Sequence, residues 1–299
     1  MCKPNFFIVG SAKAGTTAMY EFLKNHPDVF LPARKEINYF GSNLTHTIHS
    51  TAVRNEEEYL LLYKGWKAEK IIGDTSTNYL YDKSAAEEIY QFNPQSYIII
   101  MLRNPVDVMY SLYYQMCFNG NEDIESFEEA LAAEEVRKQG QRLPKNMRIQ
   151  ENLYYRERVK FANQVLRYKN TFPAEQIMIF LQEDLRFNPV HTFRQVLTFL
   201  QIDTNYHPDF RLFNPNKEVR SSRLRKLYTN PLALFLSKQF PNLGQSVYQI
   251  VRNLNTIHTP RPPMNSDLRQ RLLEEYTHEI DTLSQIIDRD LTHWYQKES

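Results

Sequence analysis

The sequence predicts an α/β protein built on a mostly parallel sheet with helices on both faces. Apolar runs at residues 6–9, Tyr97–Leu102 and Ile177–Leu181 are rich in β-branched or aromatic side chains and do not alternate with polar residues. Such runs are expected for strands that are buried on both faces. Residues 71–73 are a shorter candidate for a fourth strand. Helical patterns lie between these runs, which is typical of βαβ units.

Four segments carry the apolar spacing of a helix. The first begins after Gly15 and ends before Pro27, and residues 159–168 and 190–200 repeat the pattern. Residues 260–299 predict one amphipathic helix that packs on the sheet. Its apolar positions are Leu268, Leu272, Leu273, Tyr276, Ile280, Leu283 and Ile287.

Two polar stretches interrupt this scheme. Residues 119–158 are charged and carry apolar positions at helical spacing around Phe127 and Leu131, which predicts an inserted helical segment. Residues 42–66 are the second stretch. Either could form a lid or an acceptor wall, or consist of solvated surface helices, and the sequence leaves both alternatives open. Because no internal repeat and no linker is recognisable, we expect a single domain over residues 1–299.

Charge and composition exclude several function classes. The 36 Lys and Arg nearly balance the 35 Asp and Glu, for a net charge of +1, so we expect no nucleic-acid partner and no broad binding to anionic membranes. The two cysteines, Cys2 and Cys117, indicate neither a disulfide framework nor a zinc site. The apolar run at residues 6–10 is too short for a signal sequence or a membrane span. We therefore expect a cytoplasmic protein without a transmembrane segment, whose oligomeric state the sequence leaves open.

The strongest motif is a strand, a loop of small residues and a helix over residues 6–19, Phe-Phe-Ile-Val-Gly-Ser-Ala-Lys-Ala-Gly-Thr-Thr-Ala-Met. Small residues let backbone N–H groups approach an oxyanion, and a helix N-terminus adds free donors and a favourable dipole. Gly10, Gly15 and Thr17 fit the nucleotide-hydrolase loop G-x-x-x-x-G-K-[ST]. Thr16, however, stands where that loop has its lysine, and the cation is Lys13 in mid-loop. The motif predicts a phosphate site with a displaced cation.

This run resembles the 5'-phosphosulfate loop of sulfotransferases that use 3'-phosphoadenosine 5'-phosphosulfate (PAPS), especially the bacterial and heparan-sulfate type branch. The resemblance implies a P-loop nucleotide-kinase-like fold of three layers, with a central, mostly parallel sheet flanked by helices. It also implies that Lys13 contacts the bridging oxygen and the sulfuryl group. The other loop residues would also bind the donor: Ser11, Ala12, Ala14, Gly15, Thr16 and Thr17. Of these, Gly15, Thr16 and Thr17 would hold its 5'-phosphate.

A second anion site is predicted at Arg103, which follows the strand at residues 97–102. Open α/β sheets place ligands at this end of their strands, and Pro105 is suited to open a helix. Ser111 would lie about two turns further on such a helix, so Arg103 and Ser111 converge only in a bent geometry. The pair resembles the second signature of the same family, Arg-x-Pro with Ser eight residues after the Arg, which implies binding of the 3'-phosphate. Met109 stands where the family often has Arg.

Residues 34–40, Arg-Lys-Glu-Ile-Asn-Tyr-Phe, resemble the Lys-Glu-x-x-Phe-Phe segment of the family. The glutamate of that segment is the general base in several members that act on sugars, which implies that role for Glu36, next to Lys35. Asn38 replaces the His of some relatives. Asp74, in a stretch similar to the acceptor side of the family, could orient the acceptor or serve as a helix cap. Arg220, in a weakly similar basic loop, is assigned to donor binding.

The resemblance implies an enzyme that transfers a sulfuryl group from PAPS, as co-substrate, to a hydroxyl or amine by in-line displacement. Glu36 would act as base and Lys13 would stabilise the leaving phosphate. No cluster of metal ligands is recognisable, so we expect no metal. Small-molecule, lipid, carbohydrate and peptide tyrosine acceptors all remain open. The alternatives are a P-loop kinase or nucleotide hydrolase, and a non-catalytic relative that binds PAPS or its product adenosine 3',5'-bisphosphate (PAP).

Overall fold

The computed structural model describes residues 3–46, 50, 52–210, 218–219, 254, 256–257 and 261–295 of the 299-residue chain. A five-stranded parallel sheet forms its centre, with the strand order β2-β3-β1-β4-β5. The strands are β1 (Phe6–Gly10), β2 (Val29–Phe30), β3 (Ile71–Thr75), β4 (Tyr97–Leu102) and β5 (Ile177–Leu181). All four sequence-predicted strands are present. The additional strand β2 has only two residues, too few to give a pattern of its own.

Helices cover both faces of the sheet, because successive side chains of a strand point to opposite faces. Phe7 and Val9 of β1 belong to one hydrophobic core, whereas Phe6 and Ile8 belong to the other. The first core includes α3 (Ala85–Phe92), α4 (Pro105–Asn119), α8 (Phe161–Thr171), α11 (Ser266–Glu275) and α12 (Thr277–Ile287). The second includes α1 (Thr16–Leu23), α9 (Gln182–Phe187) and α10 (Pro189–Phe199). The predicted three-layer α/β fold is confirmed.

The chain reverses direction across the sheet at β1, which places a crevice at the carboxyl ends of β1 and β4. The chain passes from β1 through β2 and β3 on one side and then to β4 on the other. Ligands of open α/β sheets bind at such a switch point. Gly10 ends β1 and Arg103 follows β4, so the two predicted anion sites meet at this crevice.

The polar segments contain short helices. Residues 42–66 include α2 (Glu56–Leu61), and residues 119–158 include α5 (Phe127–Ala132), α6 (Glu134–Lys138) and α7 (Tyr155–Arg158). In the second segment Arg137 and Glu122 form a buried ion pair with 2.6 Å between Nη2 and Oε1, and the Tyr155 hydroxyl donates to Glu122 Oε2 at 2.8 Å. These contacts hold the parts of the segment together, and Tyr155 also belongs to the hydrophobic core that includes α4 and α8.

The C-terminal region differs from the prediction of one helix lying on the sheet. It forms two helices, α11 and α12, which meet at the buried Tyr276. Their main contacts are with α4 and α8 rather than with a strand. A two-stranded antiparallel pair, β6 (Glu218–Val219) and β7 (Thr256–Ile257), lies outside the central sheet. Within the described ranges no helix has both the length and the apolar character needed to cross a membrane.

Candidate functional site

The loop after β1 forms a tight connection into α1. Ser11 N–H donates to the carbonyl of Met101 in β4 at 2.6 Å, which fixes the loop against the neighbouring strand. Gly15 precedes α1 with a φ of 95°, a left-handed conformation that glycine adopts without strain. No side chain of the described residues caps α1, so the N–H groups of its first turn point out of the helix without an intrahelical acceptor. This end of α1 is therefore suited to bind an anion.

Gly10 is required by the close approach of the segment that follows β3. Its φ is +155°, and an added Cβ would lie 2.6 Å from Leu80 Cβ and 3.1 Å from the Thr77 carbonyl oxygen. Neither distance leaves room for a methyl group without a shift of the neighbouring backbone. The phosphate loop and the segment around Thr77 are thus packed directly on each other at this glycine.

Two lysines lie at the loop. Lys13, with a φ of 68°, donates from Nζ to Gln115 Oε1 of α4 at 3.2 Å. Lys35 Nζ donates to Thr17 Oγ1 at 2.8 Å. Burial lowers the pKa of Lys35, and the nearby Glu36 partly offsets this effect. The loop therefore has two cationic side chains beside it: Lys13 belongs to the loop itself, and Lys35 belongs to the segment that carries Glu36.

The second anion site begins where β4 ends. Asn104 caps α4 by accepting from Val106 N–H at 3.0 Å, and Pro105 occupies the first turn, as the sequence predicts. Arg103 Nη1 donates to the carbonyl oxygen of Lys13 at 3.4 Å, which connects this site to the phosphate loop. Arg103 Nη2 lies 3.8 Å from Asp107 Oδ2.

Arg261 bridges the distance between Arg103 and Ser111. Its Nη2 donates to Ser111 Oγ at 3.1 Å, and its guanidinium lies over the rings of Tyr110 and Tyr114, 5.8 and 5.4 Å from their centroids. Burial lowers the pKa of Arg261, and the positive charge of the neighbouring Arg103 lowers it further. Two guanidinium groups and a hydroxyl are thus concentrated at one place, which favours binding of a doubly charged anion such as a phosphate.

The Glu36 carboxylate is oriented by Thr77, in the segment that packs on the phosphate loop at Gly10. Thr77 N–H donates to Glu36 Oε2 at 2.9 Å, and Thr77 Oγ1 lies 3.2 and 3.1 Å from the two carboxylate oxygens. Glu36 N–H donates to the Thr75 carbonyl at 3.2 Å, in a backbone with a φ of 58°. The Thr77 donors are neutral, so the carboxylate keeps lone pairs that can accept a proton.

Asp74 in β3 supports the segment that carries Glu36 through a chain of hydrogen bonds. Its buried carboxylate accepts from the hydroxyls of Tyr59, Tyr79 and Ser76 at 3.1, 2.7 and 2.7 Å. Burial raises the pKa of Asp74 to about 6, although these three hydrogen bonds act in the opposite direction. Ser76 Oγ also accepts from Asn38 N–H at 3.0 Å. The geometry therefore gives Asp74 a role in holding the Glu36 segment, and neither a helix cap nor direct access to an acceptor.

The structure brings most of the predicted site residues together at the carboxyl ends of β1 and β4. Arg220 lies outside the described residues. Sequence reasoning did not select Lys35, Gln115 or Arg261 as site residues; Lys35 could have been found as the partner of Glu36, whereas the other two carry no local signal. In the described ranges no group of three or more His, Cys, Asp or Glu side chains could hold a metal ion.

Comparison with known protein families identifies the family of the chain. Residues 4–206 match the profile described as the sulfotransferase family. The chain belongs to the sulfotransferase family. A solved structure of a sulfotransferase from Alicyclobacillus acidocaldarius superposes on 99% of the chain and on all of that protein, with a TM-score of 0.75 and 28% sequence identity.

Curated relatives carry the same assignment over shorter stretches. The membrane-associated sulfotransferase kil1 of Dictyostelium discoideum is 30% identical over 114 residues, which is 38% of this chain and 23% of the relative. Human carbohydrate sulfotransferase 15 is 27% identical over 167 residues, 43% of this chain and 30% of the relative. Human bifunctional heparan sulfate N-deacetylase/N-sulfotransferase 3 is 28% identical over 189 residues, 59% of this chain and 20% of the relative. The matches thus span less than a third of the length of these relatives.

Proposed function

We propose that this protein transfers a sulfuryl group from PAPS to a hydroxyl or amine of an acceptor, within a single sulfotransferase domain. The observation that carries the proposal is the junction of two anion sites, made by the hydrogen bond from Arg103 to the Lys13 carbonyl. A nucleotide with a phosphosulfate at one end and a 3'-phosphate at the other needs two such sites at a fixed separation. The first is the loop at residues 11–17, and the second is Arg103 with Ser111 and Arg261.

The reaction requires one proton transfer and one exchange of bonds at sulfur. The acceptor oxygen or nitrogen forms a bond to sulfur and gives its proton to Glu36, while the bond from sulfur to the bridging oxygen of PAPS breaks. The electron pair of that bond stays on the leaving PAP, where the Lys13 ammonium stabilises the growing charge. Thr77 orients the Glu36 carboxylate through two donors. A base so placed contributes roughly 10²–10⁴-fold to the rate.

The acceptor class that we propose first is a carbohydrate, because relatives with matching segments are named as carbohydrate and heparan sulfate sulfotransferases. Small-molecule and lipid acceptors are the next classes to test. The cytoplasmic location stays a prediction from the cysteine content, and one relative is described as membrane-associated.

The kinase alternative requires a carboxylate that is available to Mg²⁺ beside the phosphates. Asp74, the candidate for that role, is fully buried and accepts hydrogen bonds from three hydroxyls. This observation speaks against a kinase. The non-catalytic alternative is opposed by the presence of both Lys13 and Glu36 at the crevice.

The direct test is transfer of radioactive sulfur from labelled PAPS to a panel of acceptors: desulfated glycosaminoglycans, simple sugars, phenols and long-chain alcohols. We expect label in at least one acceptor, and loss of that label by about 10²–10³-fold in Lys13→Ala. An Arg271→Ala variant, which removes an exposed cation paired with Glu128, should keep the wild-type rate. Absence of transfer with retained PAP binding would favour the non-catalytic relative, and Mg²⁺-dependent turnover of ATP would favour the kinase.

A further inference from the structure

A small, partly open cavity lies between the phosphate loop, the segment after β3 and the helical insertion. Ser11 lines it from the loop, Thr77 from the Glu36 segment, and Arg158 and Gln164 from the side of the insertion and α8. The volume of the cavity is about 10 Å³. This is the room that one water molecule or one ligand oxygen needs.

Arg158 is a buried cation in an unusual position. Its residue exposure is 5%, its Nη2 donates to Asn78 Oδ1 at 2.8 Å, and its guanidinium lies 4.6 Å from the centroid of the Tyr81 ring. Among the described residues no carboxylate lies within ion-pair distance of it, and its Nη1 has no hydrogen-bond partner. The negative groups Glu151, Glu36 and Asp82 act on it only from further away. Burial of a charge is costly unless the charge is paired and hydrogen-bonded.

The hydroxyl of Ser11, on the loop side of the cavity, is also buried without a hydrogen-bond partner among the described residues. Ser11 is 5% exposed, and its Oγ has no hydrogen-bond partner in the part of the chain that the structure describes. Ser11 and Arg158 line the same small cavity. A guanidinium N–H and a hydroxyl can both donate to one anionic oxygen, and such charge-assisted hydrogen bonds are the strong ones. The cavity therefore has the chemistry of a site for a single anionic oxygen.

The cavity lies beside the reacting groups. Ser11 is two residues from Lys13 in the same loop, and Thr77 holds the Glu36 carboxylate. Arg158 is connected to the same segment, because Asn78 Nδ2 donates to Asn38 Oδ1 at 3.1 Å and Asn38 Nδ2 donates to the Glu36 carbonyl at 3.0 Å. A carboxylate or sulfate on an acceptor would bring several atoms, which the cavity cannot hold, whereas one oxygen that projects from the loop fits.

We propose that Arg158 and Ser11 bind one non-bridging oxygen of the sulfuryl group of PAPS, an inference that rests on the function proposed above. Arg158 neither gives nor takes a proton in the reaction, and the bonds that form and break are unchanged. Its role is to hold the sulfuryl group between Lys13 and Glu36 and to stabilise the charge on the sulfuryl oxygens during transfer.

PAPS and PAP differ by the sulfuryl group, so their affinities measured without acceptor test this inference. For Arg158→Gln we expect about a tenfold loss of PAPS affinity with PAP affinity unchanged, as for the loss of a charge-assisted hydrogen bond. Arg158→Lys keeps the charge and should recover part of the loss. Ser11→Ala, which changes the fold least, should lower the PAPS-to-PAP affinity ratio by about threefold. It also tests the inference if the Arg158 variants do not fold.

The matched control is Arg167→Gln. Arg167 is a neighbouring half-buried arginine that does not itself line the cavity; its Nη2 donates to the carbonyls of two lining residues, Leu80 and Tyr81. It should leave the affinity ratio unchanged. Equal PAPS affinity in wild type and in the Arg158 and Ser11 variants would overturn the inference, and a water molecule would then be the occupant that the cavity fits. A parallel loss of PAPS and PAP affinity would overturn it as well, because Arg158 would only support the loop. Wild-type protein that binds neither nucleotide would instead contradict the proposed function.

Discussion

The two sides of the crevice are built in different ways. The donor side, residues 10–17 and 103–111 with Arg261, takes its geometry from backbone: a strand end, a left-handed glycine and two helix starts. The acceptor side, residues 36–38, 74–79 and 158, is held by side chains that bond across the chain, such as Thr77 to Glu36 and Arg158 to Asn78. The backbone of the donor side repeats contacts that any phosphate needs, whereas the acceptor side, like the contact of Arg261 with Ser111, depends on side-chain partners distant in sequence. We therefore expect Ser111 variants on the donor side to weaken PAP binding, and Glu36 variants on the acceptor side to slow transfer while PAP binding is kept.

The largest expected effect is on the acceptor side, in Glu36→Gln. Glutamine can still accept from Thr77 but cannot take the acceptor proton, so we expect sulfuryl transfer to fall by roughly 10²–10⁴-fold. PAP affinity should stay within about twofold of wild type, because the lost interaction belongs to the transition state. Initial rates and calorimetry on the same preparation measure both. A parallel loss of rate and PAP affinity would show that the two sides are not separable.

Gly10→Ala tests the place where the two sides touch. A φ of +155° and a Cβ 2.6 Å from Leu80 Cβ should together lower the free energy of unfolding by about 3 kcal/mol. Gly140→Ala is the matched control, since Gly140 also has a positive φ of 78° but has no atom within 4 Å of the added Cβ; we expect a loss of about 1 kcal/mol. Urea unfolding measures both variants. Equal losses of unfolding free energy in the two variants would mean that the close contact at Gly10 adds nothing to the cost of the added methyl group.

Asp74→Asn tests the support beneath the acceptor side through its pH dependence. Burial raises the pKa of Asp74 from its ordinary 3.8 to about 6. Between these values the folded protein binds more protons than the unfolded chain, so the free energy of unfolding falls as the pH rises through this window. The wild type should lose about 2 kcal/mol between pH 4 and pH 6 from this group, and the variant should not.

Urea unfolding of wild type and Asp74→Asn at a series of pH values measures this difference. The stability curves should diverge below pH 6, with the wild type gaining relative to the variant as the carboxyl becomes protonated. Curves that run parallel from pH 4 to pH 7 would contradict the assigned burial and partners of Asp74.

The smallest expected effect is on the donor side, in Ser111→Ala. Loss of the hydroxyl that accepts a hydrogen bond from Arg261 should weaken PAP binding by about five- to tenfold, as for a single hydrogen bond to a charged group. Thr198→Ala, which removes a hydroxyl that donates to the Arg194 carbonyl within α10, should leave PAP affinity unchanged. If Ser111→Ala binds PAP like the wild type, Ser111 serves the fold and not the phosphate.

The difference between the two sides also explains how far the sequence could be interpreted. The four longer strands, α1 and the phosphate loop are local patterns, and the sequence predicts them together with Lys13 and Arg103. Arg158 carries no such signal, because its partner Asn78 is 80 residues away. Arg261 reaches Ser111 across 150 residues. The break between α11 and α12 was also missed, since the apolar spacing continues through Tyr276 while the backbone there leaves the helical conformation, with φ −97° and ψ 6°.

The central claim is that the crevice binds a nucleotide with a 3'-phosphate, and titration of PAP into wild type and Arg103→Ala tests it most directly. Arg271→Ala serves as the control for loss of charge, and ATP with Mg²⁺ serves as the comparison ligand. We expect the wild type and the control to prefer PAP, and Arg103→Ala to lose about 10²-fold in PAP affinity. Tighter binding of ATP with Mg²⁺, or equal PAP affinity in all three proteins, would contradict the claim.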